Sequence, residues 1–97
     1  MVFEDYLKGI YKSKGGIIRS FLKVDKGKIT DITFSGDFFL LPEDAIDLIT
    51  QRLIGTDTEK DSIRYVVEDV YKTEKILSPG TKPEDFTRSI MQAIGGT

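Results

Sequence analysis

The sequence predicts an α+β domain: a small antiparallel β-sheet meander of about three strands, covered on one face by about three helices. Three observations carry this. Apolar residues alternate with polar ones up to about Leu41, at the strand period. Glycine-bearing turns, SKGG and DKGK, break that zone at hairpin spacing. From Pro42 onward the apolar spacing lengthens to the helical period. Strands followed by helices is the order of a sheet with helices packed on one side.

Each element has its own signal. Tyr6 to Lys12 is the least patterned strand, carrying Tyr6, Leu7, Ile10 and Tyr11. Residues 17 to 24, IIRSFLKV, put Ile18, Leu22 and Val24 on one face and Arg19, Phe21 and Lys23 on the other. KITDITFSG repeats the alternation, with Ile32, Phe34 and Phe38 on one parity and Asp31, Thr33 and Asp37 on the other. Pro42 is expected at the first helical position, with Glu43 and Asp44 in the first turn, where carboxylates complement the helix dipole. Ala45, Ile46, Ile49 and Leu53 form its apolar stripe, and Gly55 stops it. Thr58 to Asp61 reads as a capping box ahead of Ile63, Val66, Val67 and Val70. Thr81 to Glu84 reads as another, opening a helix with face Phe86, Ile90, Ala93 and Ile94 and ended by Gly95 and Gly96.

Bulk properties bound the function. A chain of 97 residues fits one domain, 1–97. It has room for one core, and so small a domain rarely encloses a ligand pocket of its own. A net charge of −2 argues against nucleic acid, whose binding needs a concentrated basic surface. It argues equally against a polybasic membrane anchor, and no apolar run is long enough to span a bilayer. The N-terminus, MVFEDYLKGIYK, lacks the apolar core of a signal peptide, so a cytoplasmic location is expected. Cysteine and histidine are both absent. Disulfides, thiolate nucleophiles, zinc sites built on Cys or His, and histidine acid–base chemistry are excluded with them.

What remains is thin as catalysis. Lys14-Gly15-Gly16 lacks P-loop spacing and precedes no helix, so it reads as a hairpin turn. Glu43 and Asp44, as neighbours on a helix, diverge by about 100° and do not converge on a substrate. Arg19, Lys23 and Phe21 share a strand face near Lys12 and Lys14. That face suits a phosphate-bearing ligand or an acidic partner, although a solvated sheet face explains it more simply. The junction Gly36-Asp37-Phe38-Phe39 holds more. Gly36 permits a bulge, Asp37 can bond nearby N–H groups, and Phe38 can enter the core. Phe39 then points the other way, and an aromatic beside polar neighbours is what an interface centre contains.

With the Gly-Gly hairpin, the Asp-Lys-Gly-Lys-Ile turn, SGDFF and a later helix led by Pro83-Glu84-Asp85, the chain resembles the small C-terminal domain of lipoate-protein ligases. The resemblance runs from about Lys14 into that last helix and is most specific in KVDKGKITDITFSGDFF, residues 23 to 39. The first dozen residues lie outside it. In some organisms this domain is a separate accessory chain. The resemblance implies a non-catalytic accessory subunit, needed beside a large catalytic chain for ATP-dependent activation of lipoate to lipoyl-AMP before transfer to a lysine of an acceptor domain. It implies lipoate, ATP and Mg at the partner chain and no cofactor held by this chain alone. The family fold is related to sulfur-cluster scaffolds, but a chain without cysteine cannot hold a cluster. Lys14, Gly15, Gly16, Gly36, Asp37, Phe38 and Phe39 are the candidate partner contacts. The competing expectations are an independent interaction module with no ligase partner, and a small standalone enzyme using Asp37, Tyr11 or Lys14.

Overall fold

The computed structural model describes residues 5–95. Three strands, β1 (Leu7–Ser13), β2 (Gly16–Asp25) and β3 (Lys28–Gly36), form an antiparallel sheet in the order β1-β2-β3. Three helices follow: α1 (Ala45–Leu53), α2 (Lys60–Thr73) and α3 (Pro83–Ile94). The α+β meander is therefore as expected, with the least patterned strand also in place. Lys26 and Gly27, at φ 52° and 76°, make the left-handed two-residue turn that suits the twist of a hairpin.

One face of the sheet carries the core. Ile18 and Leu22 of β2 are fully buried, with Ile29, Ile32 and Phe34 of β3 beside them. Strict alternation cannot bury both Ile29 and Ile32. The register between β2 and β3 shifts after Lys23, so that Lys23 pairs with Asp31 but Val24 pairs with Ile29. Thr30 is the extra residue, and its hydroxyl donates to Lys23 O at 3.3 Å. The bulge thus lies mid-strand, whereas Gly36 ends β3.

The helices close over this face. α3 lies across β1 and β2, α1 sits beside β3, and α2 packs on both of its neighbouring helices. The approach of α3 is very close. A Cβ on Gly9 of β1 would lie 2.1 Å from Ser89 O and 2.6 Å from Ala93 N. Behind Gly9, the buried hydroxyls of Ser20 and Ser89 are 2.7 Å apart, and Ser89 donates to Ile18 O at 3.2 Å. Small side chains set the spacing, and among the described residues no buried side-chain polar atom lacks a hydrogen-bond partner. Phe86, fully buried on α3, then reaches Phe34 edge-on, with ring centroids 5.2 Å apart at 83°.

The helix starts differ from the sequence expectation in three places. Pro42 stands outside α1, after a cis Leu41–Pro42 bond, and Pro42 to Asp44 form a turn in which Ala45 N–H donates to Pro42 O at 3.0 Å. The acid in the first turn of α1 is Asp47, not Glu43 or Asp44. At α2 the helix begins later than a Thr58 box requires. Asp57 supplies the acceptor there, taking the Glu59 N–H at 3.0 Å. At α3 the box is displaced by one residue: Lys82 N–H donates to the Asp85 carboxylate at 2.8 Å, with Pro83 opening the helix. A lysine side chain has no acceptor, so only the Asp85 half of that box is a side-chain bond. Gly95, left-handed at φ 89°, ends α3 as expected, while Gly96 lies outside the described residues.

These contacts set the stability of two variants. Gly9→Ala drives a methyl group into backbone of α3 and should destabilise the fold by about 1–3 kcal/mol, read from urea midpoints. Asp57 is held below its ordinary value of 3.8, first by its hydrogen bond with Ser62, then by the Glu59 N–H and the charge of Lys28. A lowered carboxylate stabilises the fold above its unfolded value and loses that contribution as pH falls through its folded value. Asp57→Ala should therefore be less stable than the wild type at about pH 7. In a pH series of urea melts, the gap should narrow as the pH is taken below 3.8.

Candidate functional site

The two stretches singled out in the sequence meet at one end of the sheet. Lys14 and Gly15 form the β1–β2 turn, and Gly15 N–H donates to Gly80 O at 2.8 Å in the α2–α3 loop. A Cβ on Gly15 would sit 2.4 Å from Pro79 O, and one on Gly80 2.7 Å from Gly15 Cα. Ser13 clasps the same corner: its hydroxyl donates to Gly16 O at 2.7 Å and is 3.0 Å from Thr81 Oγ1. Thr81 is therefore engaged in this contact instead of capping α3.

Gly16 in turn touches the SGDFF junction. It has φ 135°, and a Cβ there would lie 2.9 Å from the Asp37 carbonyl. Asp37 N–H donates to Ile17 O at 3.1 Å, extending the β2–β3 pairing by one bond. Gly36, at φ 144°, leaves no room for a side chain, because its Cβ would fall 1.8 Å from Ile17 O. Gly15, Gly16 and Gly36 are thus packing residues. Lys14 and Asp37 are exposed around them.

Beyond Gly36 the chain runs extended, and its side chains alternate. Phe38 turns inward and meets Phe86 edge-on, with centroids 5.3 Å apart at 79°. Leu40 is buried; Phe39 and Leu41 point out, 59% and 42% exposed. Leu41 is bridged to Leu77 by a pair of backbone hydrogen bonds, each 2.9 Å. Leu77 is 65% exposed. Paired residues of an antiparallel bridge carry their side chains on the same side. Phe39, Leu41 and Leu77 therefore form one outward apolar patch, with Lys14, Asp37 and Lys75 among the exposed polar residues of the adjoining segments.

The loop under the patch is well tied. Ser78 Oγ donates to Thr81 O at 2.6 Å and is 2.8 Å from the Tyr71 hydroxyl. Burial pushes the Tyr71 phenol up, with the Ser78 hydrogen bond pulling the other way. The phenol is therefore a neutral structural group at ordinary pH.

Sequence reasoning found Phe39 but missed Leu41 and Leu77. Leu41 was within its reach, because the alternation from Phe38 to Leu41 already assigns Phe39 and Leu41 to one side. Leu77 was not, since it joins the patch only through a bridge to a distant segment.

A surface groove of about 460 Å³ lies near the other end of β3, between Lys28, Asp57, Asp61 and Tyr65. Asp57 is engaged there in starting α2, so the groove holds no convergent pair of free carboxylates on the pattern of an acid–base site.

The bacterial lipoate protein ligase C-terminus family matches residues 5–90. This chain belongs to that family. The family match begins ahead of Lys14 and takes in β1, so most of the first dozen residues are part of the resemblance, contrary to the sequence reading. Lipoate-protein ligase A subunit 2 of Thermoplasma acidophilum is 40% identical over 80 residues, 82% of each chain. A solved structure from the same organism, of an archaeal lipoylation system with a bi-partite lipoate protein ligase and its E2 lipoyl domain, contains a chain 38% identical to this one. The two superpose with a TM-score of 0.79 over 88% of this chain and 93% of that one. Both of these similarities are to a lipoate protein ligase that is divided into parts.

Because Phe39 and Leu77 are exposed, truncating them should spare the fold. Phe39→Ala and Leu77→Ala should each melt like the wild type and weaken association with a partner chain by about 1–2 kcal/mol, measured by titration calorimetry. An unchanged dissociation constant for either would remove that residue from the interface.

Proposed function

We propose that this chain is the non-catalytic accessory subunit of a two-chain lipoate-protein ligase. The observation that carries the reading is its similarity, over 82% of both chains, to a protein that is itself subunit 2 of such a ligase. The site geometry agrees with a docking role. A fixed corner of close-packed glycines presents a small apolar patch with polar neighbours, which is the composition of an interface centre and its rim.

The partner is a large catalytic chain, at which lipoate, ATP and Mg are bound. There the lipoate carboxylate attacks the α-phosphate of ATP, lipoyl-AMP forms and pyrophosphate leaves. The lysine amine of an acceptor lipoyl domain then displaces AMP to give the amide. This chain contributes no group to either step. Among the described residues no cluster of three or more His, Cys, Asp or Glu side chains could hold a metal. The Lys14-Gly15-Gly16 turn does not form a phosphate cradle, because the Gly15 N–H is already bonded to Gly80 O. The subunit acts by favouring the closed, water-excluding form of the partner's active site, so that activation proceeds on a larger population of competent enzyme. Among the described residues no helix is long and apolar enough to cross a membrane. The cytoplasm is the proposed location, and a chain without cysteine suits its reducing conditions.

Reconstitution tests this directly. The large chain with lipoate and ATP should release pyrophosphate faster when this chain is added, and the two should co-elute on size exclusion. Equal rates with and without it, and no co-elution, would leave an independent interaction module as the reading.

A further inference from the structure

The strand order β1-β2-β3 leaves β1 at an edge of the sheet. Ser13 and Gly16 close a two-residue turn, which makes them a hydrogen-bonded pair, and such pairs alternate along an antiparallel ladder. Tyr11 with Ile18 and Gly9 with Ser20 are therefore the next bonded pairs. Lys8, Ile10 and Lys12 fall between them, so their backbone N–H and C=O groups point outward, away from β2. An outward row of this kind is a template for one more strand. Ile10 is its midpoint and is 47% exposed. That midpoint is already taken: the Ile10 N–H donates to Gln92 Oε1 at 2.7 Å. Gln92 is an exposed residue in the last turn of α3, between buried Met91 and Ala93, so its side chain fills no place in the core. The close approach of α3 over Gly9 is what brings the amide within reach of the edge. Lys8 and Lys12 flank Ile10, both exposed, and β1 carries no acid from Leu7 to Ser13.

We propose that Gln92 is a stopper on the β1 edge, which keeps a second copy of this chain from adding to the sheet there. The inference concerns the chain by itself and does not depend on a ligase partner. When two β1 strands pair about a two-fold axis through their midpoints, Ile10 meets Ile10, and each Ile10 N–H must donate to the other copy's carbonyl. Gln92 holds that N–H, and its amide occupies the position of the incoming carbonyl. The same register sets Lys8 of one copy directly opposite Lys12 of the other, on the same side of the joined sheet, where like charges repel. One hydrogen bond and two cations thus act against the same event. The hydrogen bond denies the donor at the centre, and the charges oppose the pairing on either side of it.

The experiment uses the full chain and reads the edge in two ways. Gln92→Ala removes the acceptor at an exposed helical position, and Gln92→Glu keeps one. By NMR, the Ile10 amide should exchange about fivefold faster or more in Gln92→Ala and stay within about twofold of the wild type in Gln92→Glu. The triple variant Gln92→Ala/Lys8→Thr/Lys12→Thr removes the charges as well, with threonine chosen because it suits a strand. In sedimentation velocity its dimer should be at least about tenfold tighter than any formed by the wild type, with Gln92→Ala alone in between. Adding Ile10→Pro to the triple variant removes the donor at an outward edge position, where proline is tolerated, and should return the chain to monomer. If the triple variant melts early, Gln92→Ala carries the test alone, with an expected tightening of about threefold. A triple variant as monomeric as the wild type, or unchanged Ile10 exchange in Gln92→Ala, would overturn the proposal. A dimer that survives Ile10→Pro forms elsewhere and overturns it equally.

Discussion

The fold depends on how closely α3 lies on the first two strands. At position 9 the helix backbone occupies the space a side chain would need, so glycine alone fits without a shift. Ser20, Ser89 and Ala93 keep the rest of the contact shallow, and the serine hydroxyls bond to each other and to the strand. That closeness fixes where Phe86 stands. Phe34, Phe38 and Tyr71 are then arranged around its ring, at centroid distances of 5.2, 5.3 and 6.4 Å. Through Phe38 the same helix orients the extended stretch after β3. The outward direction of Phe39 is thus a consequence of packing that begins at the other edge of the sheet.

The corner beside that stretch works by backbone contact. Gly15 meets Gly80, Gly16 meets Asp37, and Gly36 meets Ile17, each too closely for a Cβ. Such an arrangement is rigid without being large, which matters in a domain with so small a core. It also separates two roles that were one in the sequence. The glycines build the corner, while the side chains of Lys14, Asp37 and Phe39 stand exposed around it.

Much of this was legible beforehand. Alternation located the strands, helical spacing located the helices, and the pairing of inward Phe38 with outward Phe39 followed from strand geometry alone. The details that escaped depend on competition between neighbours. Thr81 fits a capping position by sequence, yet its hydroxyl is taken by Ser13 across the molecule, and Asp85 caps alone. Asp57 and Thr58 are adjacent acceptors, and only the path of the folded chain decides that Asp57 reaches Glu59 N–H. Pro42 fits a helix start, but the turn it occupies ends before α1 begins. Ile29 and Ile32 differ in parity, which strict alternation reads as one residue out of the core; the extra residue at Thr30 brings both in. The shared strand face of Arg19 and Lys23 was legible by parity as well, although the net charge of −2 alone does not show it.

The bridge between Leu41 and Leu77 carries a consequence for the life of the chain before assembly. It joins two segments that are distant in sequence, so the apolar patch does not exist in the unfolded polypeptide and no short peptide reproduces it. A protein that binds this patch recognises the finished fold. Its binding energy is then added to the native state and to nothing else, by mass action. For a subunit of this size the partner would act as a thermodynamic anchor. An orphan copy would be the less stable form, and the amount of folded small chain in a cell would follow the amount of large chain available to hold it.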